Sequence, residues 1–123
     1  MKKIVFSIGS VFLASISARS PIWAQNQAEG KKLYTAYCSS CHGDQGKGDG
    51  MAARSLPIKP KDHTDGATMN RLSDQNLTDT ISKGGAAVGK SSFMPGWGGS
   101  LNEKQIRDIV AYIRTLAVPP YKQ

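Results

Sequence analysis

Residues 38–42 read Cys-Ser-Ser-Cys-His, and what flanks them decides what the cluster is for. Two cysteines in an exported protein ordinarily read as a disulfide, and a Cys-x-x-Cys pair inside a βαβ pattern reads as a thioredoxin-like redox site. No βαβ pattern surrounds this pair, and a histidine follows it at once. A structural zinc site needs four donors around a tetrahedron. The cysteines and histidines of the chain are Cys38, Cys41, His42 and His63, and His42 lies too close to Cys41 to close that tetrahedron comfortably. His63 itself sits in the polar run Lys61-Asp62-His63-Thr64-Asp65, which reads as a solvated loop.

The remaining reading is the C-x-x-C-H pattern of c-type haem attachment. Two thiols three positions apart share one helical turn and reach the two vinyl groups along one edge of a porphyrin. The adjoining histidine then comes beneath the ring, binds iron through one nitrogen and needs an acceptor for the other. Cys38 and Cys41 are therefore expected to carry one haem c covalently, with His42 as an axial ligand of its iron.

Working outward, Asn26 reads as the N-cap of a first helix, with Glu29 closing a capping box and the helix running through Leu33, Tyr34 and Tyr37 toward Cys38. Gly30 inside it costs about 1 kcal/mol relative to alanine, which suggests the close approach of another helix; a tolerated glycine near a frayed end accounts for it equally well. Gly43 to Asp65, rich in glycine, proline and charge, reads as a long ordered loop of the kind that serves function. A second helix starts at Ser73 with a Leu72/Leu77 staple, continues through Ile81 and ends at Gly84-Gly85. Ala86 to Ser100 is a second irregular loop. The last helix has Asn102 as N-cap, Gln105 at the box position, and Ile106, Ile109, Val110, Ile113, Leu116 and Ala117 on one face. Three such helices hold too little aliphatic material for a free-standing core, so the cofactor is expected to fill the middle.

Beyond the first few residues the thioethers are Met51, Met69 and Met94. Met94 has the purposeful setting, because Pro95 keeps helix from running through it just ahead of the last helix, so its side chain can be held across the haem from His42. A soft thioether there favours ferrous iron and raises the potential. Met51 and Met69 read as ordinary apolar gap-fillers.

The 123 residues make one domain. Lys2 and Lys3 precede an apolar run from Ile4 to Ala18, followed by Ile22-Trp23-Ala24, which reads as a secretory signal peptide. That run is too short, and too interrupted by serines, for a comfortable membrane span. The expected division is residues 1–24 as leader and 25–123 as a mono-haem domain in the periplasm. Without Lys2, Lys3 and Arg19 the formal charge falls from +7 to +4, and two haem propionates bring it to about +2. This weak basic balance suits an acidic redox partner protein and falls short of a nucleic-acid-binding signature.

Cys-Ser-Ser-Cys-His-Gly-Asp-Gln-Gly-Lys-Gly-Asp-Gly from residue 38, Met94-Pro95-Gly96-Trp97-Gly98 and Ala111-Tyr112-Ile113-Arg114 together resemble the bacterial class I c-type cytochromes. The resemblance covers essentially all of the chain after the leader. It implies an all-α, small cytochrome c-like fold, with three main helices and long loops around one covalently bound haem. It implies that the first and last helices cross at Gly30 and Tyr34 against Tyr112, and that Met94 is the distal ligand. It also implies a proline carbonyl beside the proximal histidine, supplied by Pro57 or Pro60 with Pro57 preferred. Trp97 resembles positions where an indole N–H reaches a propionate, although a core tryptophan accounts for it as well. Met51 stands where relatives often carry proline, which bears on local loop shape alone.

A His/Met iron has no open site for substrate, and no acid, base or nucleophile constellation accompanies it. The expected function is single-electron transfer by a soluble, non-enzymatic carrier. The rivals are a haem subunit of a larger oxidoreductase, and a haem enzyme or gas sensor with an open sixth position.

Overall fold

The computed structural model describes residues 25–122, so the expected leader lies outside the described residues. Five α-helices succeed one another: α1 (Gln27–Tyr37), α2 (Ser39–His42), α3 (Gly66–Met69), α4 (Asp74–Lys83) and α5 (Glu103–Leu116), with 3-10 turns at Met51–Ser55 and Ala86–Val88. Among the described residues there is no strand, only an isolated parallel bridge between Asp65 and Val118. No helix among them is long and apolar enough to cross a membrane. The all-α expectation holds, and α1, α4 and α5 are its three main helices.

The caps explain where those helices begin. Asn102 and Gln105 form a complete capping box, each side chain accepting from the other's backbone N–H at 2.9 Å. Ser73 accepts from the Asn76 N–H at 3.1 Å to open α4, which stops at Gly84, where φ is 86°. In α1 only half of the expected box forms. Asn26 accepts from the Glu29 N–H at 3.0 Å, but its own N–H donates to Asp108 Oδ1 at 2.7 Å, and Glu29 pairs with Lys32. Asp108 wins because it is 1% exposed, and a buried carboxylate needs charged or N–H partners on every side. Lys104 supplies the other one at 2.6 Å.

This contact lies where α1 crosses α5. A Cβ on Gly30 would collide with the Asp108 carbonyl and press on Tyr112 Cβ, so the glycine marks a close backbone approach. Tyr34, fully buried, meets Tyr112 edge to face at 5.2 Å. Ile106, Ile109, Val110 and Ile113 of α5 continue the core to Leu77 and Ile81 of α4 and to Met69 of α3. Gly30→Ala must push the two helices apart and is expected to cost about 3 kcal/mol. A thermal midpoint unchanged by this substitution would contradict the crossing.

The short elements α2 and α3 and the two 3-10 turns fall in stretches whose sequence lacks period. Asp65 caps α3 by accepting from Thr68. The segment after α5 then ties this region down: the Val118 N–H donates to Thr64 O at 2.9 Å, the Gly66 N–H to Val118 O at 3.1 Å, and Asn70 Nδ2 to Pro119 O at 3.0 Å. Residues 63–70 are thereby held against the α1–α5 pair.

Candidate haem site

Helix α2 is a single turn that places Cys38, Cys41 and His42 together. It ends immediately after His42, because Gly43 takes φ 81°, which is inexpensive only for glycine. Both cysteines are free thiols, Cys38 buried and Cys41 half-buried. Burial, aided by the neighbouring Cys41, pushes the Cys38 thiol up to about 12.

His42 is buried, and its Nδ1 lies 3.0 Å from the carbonyl of Lys61. A carbonyl can only accept, so the proton of the neutral ring sits on Nδ1 and Nε2 keeps its lone pair. Nε2 has no hydrogen-bond partner among the described residues, which leaves it available to a metal. Burial lowers the pKa of His42 and favours this neutral form, against a smaller opposing effect of the Lys61 carbonyl. The expected proline carbonyl is thus corrected: neither Pro57 nor Pro60 makes this bond, and Pro57 is exposed. The reason is register. The Gly48 N–H donates to His42 O at 2.7 Å and the His63 N–H to Gly46 O at 2.6 Å, and this pinning brings residue 61, not residue 57, alongside the imidazole.

The same pinning overturns the reading of His63 as a solvated loop histidine. His63 is 7% exposed. Its ring stacks on His42 with centroids 4.3 Å apart and planes at 16°, and its Nδ1 lies 3.1 Å from the Tyr34 hydroxyl. Burial, and next the closeness of His42, pushes it down to about 3. The local run Lys-Asp-His-Thr-Asp carries no sign of this, because the partners are contributed by residues 34, 42 and 46.

Met94 lies half-buried on the loop that follows α4, and the loop is laced to the end of that helix. The Gly85 N–H donates to Met94 O at 2.9 Å, the Trp97 N–H to Ile81 O at 2.8 Å and the Gly98 N–H to Ser82 O at 2.9 Å. A Cβ on Gly96 would meet the backbone of Lys83, so the loop can lie this close only with glycine there. Met69, by contrast, is 1% exposed within the helical core, and Met51 is 85% exposed. Trp97 packs edge to face on Tyr37 at 5.2 Å, which joins the Met94 loop to the residue preceding Cys38. Its indole N–H has no acceptor among the described residues and remains a free donor.

These residues fit a haem. Two free thiols and an imidazole with an unprotonated Nε2 stand on one turn, and the long loops leave the apolar side chains of Ile58 (60%) and Phe93 (53%) uncovered.

Residues 25–113 match the family described as cytochrome c oxidase, cbb3-type, subunit III. The chain is 28% identical over 105 residues to the cbb3-type cytochrome c oxidase subunit FixP of Azorhizobium caulinodans, a stretch that is 85% of this chain and 32% of that protein. It therefore spans about a third of the length of that relative. It is 32% identical over 93 residues to cytochrome c-554(547) of Halothiobacillus neapolitanus, covering 76% of this chain and 99% of that protein. Among solved structures, a chain of the Kuenenia stuttgartiensis reducing HAO-like protein complex Kustc0457/Kustc0458 superposes with a TM-score of 0.60 at 28% identity, over 77% of this chain and 46% of that chain. The chain belongs to the cbb3-type cytochrome c oxidase subunit III family, as a class I, mono-haem c-type cytochrome whose cofactor is covalently bound haem c with its iron.

Proposed function

We propose that residues 25–123 form a periplasmic electron carrier, released from the leader 1–24, in which Cys38 and Cys41 hold the haem and His42 and Met94 are its axial ligands. The observation that carries this reading is His42: its Nδ1–H is committed to Lys61 O at 3.0 Å, so Nε2 is the coordinating nitrogen, one residue from a free thiol. When bound, the haem supplies a one-electron ferric/ferrous couple. The residues do the rest. Lys61 fixes the tautomer and orientation of His42. The lacing of the Met94 loop onto α4 holds a thioether in place. Ile58 and Phe93 offer apolar cover that excludes water, and Trp97 offers its indole N–H to a propionate. Pro57, exposed, contributes at most an edge contact.

A carrier needs both axial positions filled, so the test is a redox titration of the purified holoprotein combined with carbon monoxide exposure. A reversible one-electron couple and a ferrous spectrum indifferent to carbon monoxide support the carrier. Rapid carbon monoxide binding would favour an enzyme or a sensor. The FixP similarity favours a second role for the same chemistry, as an electron-transfer subunit docked in a larger oxidoreductase.

Lysines govern the docking we propose with an acidic redox partner. Lys83 is paired with Asp79 at 2.9 Å, and Lys90 Nζ is held by Asn76 and Thr80. Lys47, Lys59 and Lys61 are exposed around the His42 loop and carry the attraction. Electron-transfer rates with the physiological partner are expected to fall roughly tenfold from low to physiological salt, and Lys47→Gln/Lys59→Gln/Lys61→Gln is expected to flatten that dependence. Rates indifferent to salt would leave the lysines as solubilising groups.

A further inference from the structure

We infer that His63 is a positioning residue for His42, setting the plane of its imidazole; this rests on the reading of His42 as an iron ligand. The Lys61 carbonyl restrains His42 at one edge, at Nδ1. A single hydrogen bond tolerates tens of degrees of misalignment, so by itself it leaves the ring free to swing about its Cβ–Cγ bond. The face of His42 is closed by His63, stacked at 4.3 Å and 16°, and an imidazole packed face to face cannot rotate without displacing its neighbour.

His63 is itself fixed from two directions. Its backbone N–H donates to Gly46 O at 2.6 Å, and its Nδ1 meets the Tyr34 hydroxyl at 3.1 Å. That hydroxyl has no other hydrogen-bond partner among the described residues, so the bond ties the His63 ring to Tyr34 whichever of the two carries the proton. Tyr34 in turn is wedged edge to face between His63, at 5.8 Å, and Tyr112, at 5.2 Å, in the crossing of α1 and α5. A rigid chain of contacts thus runs from the helix crossing through Tyr34 and His63 to the face of His42. Lys61 and His63 stand two residues apart on one pinned segment, so one piece of backbone restrains the ligand at both its edge and its face.

The plane of an axial imidazole determines how the unpaired electron of low-spin ferric iron is distributed over the porphyrin, and the spread of the haem methyl proton resonances reads that plane directly. The experiment compares His63→Phe, His63→Leu and Tyr34→Phe with the unmodified ferric holoprotein by proton NMR and optical spectra. His63→Leu removes the stacked ring and is expected to shift the methyl pattern and the reduction potential. His63→Phe retains a flat ring and is expected to keep the unmodified pattern. Tyr34→Phe leaves the helix crossing filled, removes only the hydroxyl and is expected to shift the pattern part of the way toward that of His63→Leu. An unchanged pattern in His63→Leu, or a shift in His63→Phe as large as in His63→Leu, would overturn the inference. Should His63→Leu yield no holoprotein, an unchanged Tyr34→Phe pattern overturns it equally. A high-spin spectrum in the unmodified protein would instead show an open sixth position and strike at Met94, whereas a low-spin spectrum left unchanged by His42→Ala would remove ligation by His42 and the inference with it.

Discussion

A Cys38→Ser/Cys41→Ser variant, exported and matured in the same way, is expected to lose all haem on acidic organic extraction and to show no cooperative thermal transition. The first result follows from the chemistry, since thioether links survive unfolding while axial bonds do not. The second follows from where the apolar residues lie. The core consists of side chains on α1, α3, α4 and α5 with Cys38 and Leu101, whereas the long loops turn Met51, Ile58 and Phe93 outward. A domain of this size is marginal when part of its apolar surface has nothing to pack against. The unmodified protein is expected to keep its haem through denaturing electrophoresis. Each single cysteine variant is expected to keep it too, through the one thioether left. A haem-free double variant that melts cooperatively at the midpoint of the holoprotein would show that the helices suffice, and haem released from the unmodified protein would remove the covalent assignment.

What was legible in the sequence was what neighbouring residues settle among themselves. Asn102 and Gln105 find each other within one turn, and the box they form is complete. Ser73 and Gly84 bracket α4 for the same reason, and Cys38, Cys41 and His42 need only one turn to come together. Legibility faded where a distant group competes for a local partner. Asn26 gives its N–H to Asp108, 82 residues away, so the box written in Asn26 and Glu29 is half-built. The acceptor for His42 depends on how the loop is pinned at Gly46 and Gly48, and a one-turn pattern cannot distinguish Pro57, Pro60 and Lys61. His63 was least legible of all. Its polar neighbours argue for exposure, and its burial is decided by Tyr34, 29 residues earlier, and by the segment after α5 that draws residues 63–70 inward. Gly30 lies between these cases, since the glycine was visible but the Asp108 carbonyl that requires it was not.

Replacing Met94 with alanine is expected to abolish the weak near-infrared sulfur-to-ferric-iron band, lower the reduction potential and open the ferrous iron to carbon monoxide. The argument is one of placement among three thioethers. Met51 is 85% exposed on a 3-10 turn, and a side chain so solvated lends no apolar shelter to an iron–sulfur bond. Met69 is 1% exposed and belongs to the buried core that the α5 isoleucines share, so its side chain is committed to that core. Met94 alone is half-buried on a loop, and that loop is held by three backbone hydrogen bonds to Ile81, Ser82 and Gly85 and by the Trp97–Tyr37 contact. Such lacing makes a thioether a standing ligand, not an occasional one. The controls therefore separate by kind. Met51→Ala is expected to change nothing. Met69→Ala is expected to cost about 2–5 kcal/mol of stability through the cavity it leaves, with the band intact at temperatures where the protein remains folded. A Met94→Ala protein that kept its band while either control lost it would transfer the ligand assignment to the other methionine. An unmodified protein that lacked the band and bound carbon monoxide at once would have an open sixth position, and the electron carrier would give way to an enzyme or a sensor.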